Sequence, residues 1–463
     1  MKTIRIMIAS SLALIMALAS IPAAALTAHI ENTAEPCWTV PSGYNQHDYN
    51  KVAAFLELRD ENGVRNGEKC GTNYNPSDPT TWGRTGSYDD PDNYDQPTTF
   101  TWTEAQTDRR IMEISCFSND LVGSFDLSGC TELLSLNCAS NRISALNVSQ
   151  CSNLASLTCS GNSISSLNVS SNPQLNTLVC NNNALTTLSL SANEQLRYLS
   201  VSNNALGSLN LSALTNLLML NCGNCGISSL NLSAQSRLLG LYCPNNSLSA
   251  INLSQLTRLQ YVNVKNNNLS QLNVSANTII IGINCDDNDI QSLNLSANTM
   301  LSYLSCRGNR LTDIDLSATR VGINRVRAEN GGTVGCSIAA TALVNEYMPE
   351  LDNTVCAVPA SGYSFAGWFN AAGASISNDP VYAITATSET LFNARFTDAS
   401  SIIPGDVDGD GEVTISDAIA AMRAGMGIIQ LTGDALIAGD MNNDGTIAID
   451  DAMTIMRIAM GLI

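Results

Sequence analysis

Near the carboxyl end, from Gly405 to Gly427, the chain reads GDVDGDGEVTISDAIAAMRAGMG. Count a twelve-place loop from Asp406. Oxygen-bearing side chains then fall at places 1, 3, 5 and 12, as Asp406, Asp408, Asp410 and Asp417. Gly411 stands at place 6, where such a loop must turn sharply, and Glu412 at place 7 would offer its backbone carbonyl. The stretch GDMNNDGTIAIDDAMTIMRIAMG, Gly439 to Gly461, repeats the pattern, with Asp440 standing where Asp406 stood. Its donors are Asp440, Asn442, Asp444 and Asp451, with Gly445 at place 6 and Thr446 at place 7. Hard oxygens at this spacing suit Ca²⁺ over zinc or copper, one ion in each loop. From Gly405 to the end, 10 acids face only Arg423 and Arg457. Their mutual repulsion would resist folding without a cation.

The donor spacing is that of an EF-hand, but Pro404-Gly405 and Gly439 disfavour a helix entering either loop. Each loop is followed, and not preceded, by an apolar helical pattern. Paired loops of this kind, spanning Pro404 to Ile463, resemble a type I dockerin. The resemblance implies an α module over 405–463 with paired F-hand calcium loops and two Ca²⁺. It also implies a partner, a cohesin module of a scaffoldin, in cellulosome-like complexes that degrade plant polysaccharide. By the same resemblance, partner choice sits at loop places 10 and 11, Ile415-Ser416 and Ile449-Asp450, together with Met422-Arg423 and Met456-Arg457. Many dockerins carry small hydroxyl residues at those two places; the isoleucines depart from that, and no particular cohesin follows. The duplication offers two equivalent docking faces related by a half-turn. Met426 and Met460 are expected in the core.

Upstream, a 21-residue period runs through nine copies from Cys130 to Ala318 without an insertion. The shared pattern is x-x-x-L-x-x-L-x-C-x-x-N-x-L-x-x-L-x-L-S-x, as in CTELLSLNCASNRISALNVSQ. It resembles the leucine-rich repeat family. An irregular copy, RIMEISCFSNDLVGSFDLSG, precedes it and reads as a capping turn. One unit has too few apolar residues to bury a core, so units must stack. The L-x-C segment alternates like a strand, which predicts a parallel-β solenoid over 109–322. So short a unit leaves little room for a helix on the other side, where extended or tight-turn backbone is expected. Asn141, Asn162, Asn183, Asn204, Asn246, Asn267, Asn288 and Asn309 form a ladder at the twelfth place, with Cys225 in the remaining unit. An amide there can serve both a donor and an acceptor of a buried turn.

The ninth place carries Cys138, Cys159, Cys180, Cys222, Cys243, Cys285 and Cys306, with Val201 and Val264 in the other two units. Valine in cysteine's place argues for a small buried apolar group and free thiols. Cys37 with Cys70 and Cys336 with Cys356 remain possible bridges, as do, less readily, Cys130 and Cys151. The recurring N-L-S matches a glycosylation sequon, but here it reads as the last turn of each coil. Outward strand places hold Tyr198, Tyr242, Tyr261 and Tyr303, a candidate face for a protein or glycan ligand.

The flanks differ in character. Residues 1–25 read as a secretory signal: Lys2 and Arg5, an apolar run from Ile6 to Ala19, then Ala23-Ala24-Ala25. A secreted, extracellular protein moored to a scaffold is the expectation, with no later membrane span. Residues 26–108 read as an amino-terminal cap, with a helix in HDYNKVAAFLEL and a strand in FTWTEAQ. Residues 323–398 resemble the internalin-type B-repeat, a small β-grasp-like module, through Pro359, Gly362, Tyr363, Phe365, Gly367, Trp368 and Ala394-Arg395-Phe396. Residues 399–404 form a linker. The formal charge of −19 becomes −21 without Lys2 and Arg5, which disfavours nucleic acid and anionic membrane as partners.

The solenoid from Cys130 to Ala318 has only Glu132 and Glu194 as glutamates, and the chain has 2 histidines. That gives little material for a glycosidase carboxylate pair or a serine or cysteine triad. The expectation is a non-catalytic component. The alternatives are an enzyme subunit associated with glycoside hydrolysis and a displayed adhesin or protease-inhibitor-like binder.

Overall fold

The computed structural model describes residues 39–71, 73–83, 98–329, 331–339, 351–384, 390–398, 402–442 and 444–463. The signal segment 1–25, His29, Cys37 and residues 399–401 of the linker lie outside them. The chain forms two compact units, one ending at Asn267 and the other beginning at Asn268.

The first unit opens with helix α1, Gln46–Glu57, and the one-turn α2, Asn66–Cys70. Asn45 caps α1 by accepting from Asp48 N at 3.1 Å. The buried face of α1 is Tyr49, Val52, Ala53, Phe55 and Leu56. Strand β1, Thr99–Trp102, runs antiparallel to β2, Ile111–Ser115. Beyond β2 every neighbour in this unit's sheet is parallel. The order continues through β4 (Ser135–Asn137), β6 (Ser156–Thr158), β7 (Thr177–Val179), β8 (Tyr198–Ser200), β9 (Met219–Asn221), β10 (Gly240–Tyr242) and β11 (Tyr261–Asn263). The cap closes the end of this stack: Phe55 lies flat on Phe125, ring centroids 3.7 Å apart, and the buried Asp48 carboxylate accepts from Ile111 N at 3.1 Å. The irregular copy before Cys130 is therefore a coil in the sheet, contributing β2, Cys116 to the cysteine column and Asn119 to the amide column.

On the far side of this unit's coils, only β3 (Val122–Asp126) and β5 (Arg142–Asn147) form strands among the described residues, paired in parallel. Later coils return through bends and turns, because so short a repeat closes its circuit without a helix. Each coil is held by its leucine column; in the second, Leu154, Leu157, Cys159, Ile164, Leu167 and Val169 are all buried. The N-L-S asparagines close Asx turns, their carbonyls accepting the amide two residues on, as Asn147 does from Ser149 N at 3.1 Å.

The twelfth-place amides are shared between coils. Asn204 Nδ2 donates to Cys180 O at 3.0 Å and Val201 O at 2.9 Å, while its Oδ1 accepts from Leu185 N at 3.0 Å. A second amide column was not read from the sequence. At the first place, Asn172 and Asn193 are buried and donate to carbonyls of the two preceding coils, Asn193 to Val169 O and Asn172 O, both at 3.0 Å. Cysteine, leucine and glutamine also occupy this place, which hid the pattern.

In the second unit, β12 (Gly282–Asn284) and β13 (Tyr303–Ser305) pair in parallel. The pairing then changes. Strand β14 (Asp313–Asp315), in the ninth repeat, pairs antiparallel with β15 (Arg325–Glu329). Strand β16 (Gly332–Ala339) pairs antiparallel with β13, and β17 (Thr354–Pro359) with β16. Two sheets result. One carries β13-β16-β17 and β20 (Val381–Ala383); the other has the order β14-β15-β21-β18-β19, with β18 at Tyr363–Phe369, β19 at Ser375–Ser377 and β21 at Leu391–Asp398. Trp368 and Phe392 are fully buried there. Strand pairing thus crosses residue 322 without a break.

None of the 14 described cysteines is in a disulfide, and 13 of them are buried. Cys336 and Cys356 do not bridge: Cys336 lies opposite Val355 and Cys356 opposite Gly335, which turns the two thiols to opposite faces of the hairpin. Cys130 and Cys151 are also unbridged; the Cys151 thiol donates to Leu127 O at 3.0 Å. Burial pushes the Cys138 thiol up to about 12.

The amide columns make a direct prediction. Asn204→Ala orphans two buried carbonyls and one N–H, and is expected to destabilise the first unit by about 2–4 kcal/mol. Asn204→Cys, which copies Cys225, is expected to cost less than half as much. Urea unfolding followed by hydrogen exchange in the coils checks both.

Candidate calcium loops and exposed helical faces

The carboxyl-terminal module consists of α3 (Ile415–Gly425), α4 (Asp434–Gly439) and α5 (Ile449–Ala459). No helix enters the first loop among the described residues, but the six-residue α4 ends at Gly439, directly before the second loop, against the expectation that Gly439 disfavours an entering helix there. Its core is small: Val407, Ala418, Ala421, Ala452 and Ile455, with Val413, Leu431, Met441 and Ile447 against them. The two halves meet closely at Gly425, where a Cβ would come within 3.0 Å of the Ala448 carbonyl carbon.

In the first loop, the Asp406 carboxylate turns inward. Its Oδ1 accepts from Gly409 N at 2.8 Å and Asp410 N at 3.1 Å, and its Oδ2 from Gly411 N at 2.9 Å. Gly411 has φ +94°, which only glycine adopts without strain. Asp417, fully buried at the start of α3, ties the loop's ends together. Its Oδ1 accepts from Val407 N at 2.7 Å and Asp408 N at 3.0 Å; its Oδ2 accepts from Thr414 N at 2.8 Å and the Thr414 hydroxyl at 2.9 Å. Burial alone would raise this carboxyl. The four hydrogen bonds outweigh it and hold the group below the usual carboxylate range.

The second loop repeats the geometry. Asp440 accepts from Asp444 N at 3.1 Å and Gly445 N at 2.8 Å, and Asp451 from Met441 N and Ala448 N, both at 2.9 Å. Asn442 Nδ2 reaches Asp444 at 3.1 Å and Asp450 at 3.2 Å. Glu412 and Thr446, at place 7, have exposed side chains. They leave their carbonyls as the donors those places could offer.

Carboxylate oxygens of Asp406, Asp408 and Asp410 lie within 4.8 Å of one another. Desolvation, and then the Asp417, Asp410 and Asp406 charges, push the Asp408 carboxyl up. Convergent, crowded hard oxygens are a donor set that a divalent ion of calcium's size would relieve.

The helices corrected one expectation. Met426 and Met460 are not core; they are 54% and 51% exposed. Met422 and Met456 are half-buried against the core instead, while Arg423 and Arg457 are exposed. Helical spacing decides this. Ile415, Ile419, Arg423 and Met426 follow an i, i+4, i+8, i+11 stripe, and Ile449, Met453, Arg457 and Met460 repeat it. The six apolar members are each at least half exposed. Ile419 and Met453 were missed in the sequence; the exact recurrence of the stripe from one helix to the other was the signal for them. Ser416 and Asp450 sit exposed beside the stripes at the helix starts.

The tyrosine face fared differently. Tyr198 and Tyr261 are half-buried on the sheet of the first unit. Tyr242 is buried, its ring and Met219 filling the space that Gly240 leaves: a Cβ there would lie 2.9 Å from the ring and 2.7 Å from Met219 Cε. Tyr303 is buried because β16 pairs across its strand, placing Ala339 opposite. Burial, then the Asp286 charge, raises its hydroxyl pKa.

His47, Asp48 and Cys130 also bring potential metal donors within 4.8 Å in the first unit. Their other contacts are structural: His47 Nε2 lies 2.8 Å from Ser128 O, and Arg110 stands 3.8 Å from Asp48. No helix among the described residues is long and apolar enough to cross a membrane.

Two loops built alike, each leading into one helix, define a duplicated loop-helix module. Residues 404–458 match the dockerin type I domain family, so the carboxyl-terminal module is a dockerin type I domain, a class that binds calcium and docks onto cohesins. The repeat region is a leucine-rich-repeat-type β-solenoid of about nine turns. Among solved structures it is similar to the functional domain of InlJ from Listeria monocytogenes, described as including a cysteine ladder. That likeness has 18% identity and a TM-score of 0.38, and covers 64% of this chain and 93% of that one. It is similar also to the LRR protein LIC12759 of Leptospira interrogans, at 17% identity and TM-score 0.38 over 44% and 62% of the two chains. The internalin InlF from L. monocytogenes str. 4b F2365 aligns at 20% identity and TM-score 0.32 over 45% and 79%. No curated protein sequence matches the chain.

Chelation is expected to speed amide hydrogen exchange over 405–463 while leaving the repeats unchanged. Asp417→Ala removes a candidate ligand and the tie between the loop's ends together, so it should weaken calcium binding at the first loop at least tenfold. Calorimetric titration checks the second claim. In chelator, the stability Asp417 supplies is present above the ordinary carboxylate range and lost as pH falls through its depressed value.

Proposed function

We propose that this is a secreted, non-catalytic component that plugs into a cohesin module of a scaffoldin and presents its solenoid as a binding surface, in the setting of extracellular polysaccharide breakdown. The single observation that carries the reading is the pair of matching exposed stripes on α3 and α5, each following a loop of convergent oxygens. In this reading, two calcium ions are held, one by Asp406, Asp408, Asp410, Asp417 and the Glu412 carbonyl. The other is held by Asp440, Asn442, Asp444, Asp451 and the Thr446 carbonyl. Each ion freezes its loop and thereby fixes the start of the following helix.

Either helix then offers an apolar strip, with Arg423 or Arg457 for hydrogen bonds to the partner. Ile415-Ser416 and Ile449-Asp450 set the edge of the contact, and Met422 and Met456 back it from below. Because the stripes are equivalent, the module docks in two orientations. The isoleucines favour a cohesin with an apolar docking surface over one that reads small hydroxyls. On the solenoid, Tyr198 and Tyr261 with Met219 are the anchor for a protein or glycan ligand.

A cohesin panel tests this with the calcium-loaded chain. Arg423→Glu or Arg457→Glu alone should change affinity by about twofold, since the other face still docks; the double variant should lose at least a hundredfold. Full binding by the double variant, or binding in chelator, would overturn the reading.

A further inference from the structure

The cysteine column ends differently from how it runs. Through the first unit, the ladder cysteines directly follow parallel strands whose spacing is about 4.8 Å, wider than the roughly 3.8 Å that Cβ atoms of a disulfide prefer. At its last step the column leaves the parallel register. Cys306 directly follows β13, Cys336 lies in β16, and these strands run antiparallel with Ser305 opposite Ser337. The next pair outward is Cys306 and Cys336. Cys306 N donates to Cys336 O at 2.9 Å, and the two sulfurs lie 3.6 Å apart. Both side chains are fully buried. A shift of about 1.5 Å would bring the sulfurs to bonding distance.

We propose that Cys306 and Cys336 are an oxidisable pair that closes into a disulfide, stapling the ninth coil to β16. The cross-link closes a loop of about 30 residues that includes β14 and β15, and so restrains the unfolded chain most where the solenoid gives way to the β module. The co-reactant is a small-molecule or protein disulfide. The thiolate of one cysteine attacks it, forming a mixed disulfide and releasing one thiol. The second cysteine then attacks the first cysteine's sulfur and releases the other thiol. Two S–H bonds and one S–S bond break, and the same number form. Two electrons pass from the cysteines to the oxidant. Cys356 stays outside the pair because the hairpin register turns it to the opposite face.

The test uses the full calcium-loaded chain, reduced and then incubated with oxidised glutathione. Remaining thiols are alkylated, and peptides are mapped by mass spectrometry without reduction. The expected result is a peptide linking Cys306 to Cys336, with Cys138, Cys159 and Cys180 still alkylated. The cross-linked protein should unfold roughly 5–10 °C higher in the second unit. Cys336→Val should abolish the link, and valine is a substitution the ladder itself makes at Val201 and Val264. Cys356→Ser should retain it. Folded protein that keeps both thiols free, or a bridge to Cys356 or Cys285 instead, would overturn the proposal. The wild-type map decides this even if a variant fails to fold.

Discussion

Buried turns must have their main-chain groups answered, and that requirement shapes this molecule more than any other. Each short coil makes several sharp reversals close to its own core. Helices and long strands, which pair their own N–H and C=O groups, do not fit in so tight a circuit. The carbonyls left facing inward would each cost a lost hydrogen bond in a low-dielectric interior. Side-chain amides take up that load. An asparagine such as Asn204 both donates and accepts, and it reaches two coils at once. The column is thus a vertical seam that sets the stacking register.

The dockerin solves the same problem with carboxylates. Asp406 and Asp417 gather six backbone N–H groups of one short loop between them. An anionic acceptor suits a turn whose N–H groups all point inward, and it brings charge that an amide would not. That charge is what separates the two halves of the chain chemically. The solenoid uses neutral amides. The tail uses acids and crowds them together, a donor set that a cation would relieve.

Much of this was legible in the residues. The coil period, the twelfth-place asparagines and the oxygen spacing of both loops are local patterns, and local patterns survive translation into structure. The helix stripe was half legible. Repetition between the two halves of the tail marked the Met-Arg pairs, but the choice of which methionine faces the core depends on where the partner helix lies. Met426 and Met460 fell on the outside because Ala421 and Ile455 take the inward positions, and small alanines let the helices approach.

The sequence by itself determined the coil length, the buried columns and the two loops, because each is fixed by contacts between residues at constant spacing. Tertiary structure alone decided which outward-pointing side chains are exposed. Tyr303 lies on a strand's outer place, yet β16 covers it; Tyr242 lies on another, yet it folds into the gap above Gly240. It also decided that Cys336 meets Cys306 rather than Cys356. Strand pairing between segments far apart in the chain sets that neighbour, and no periodicity in the residues records it.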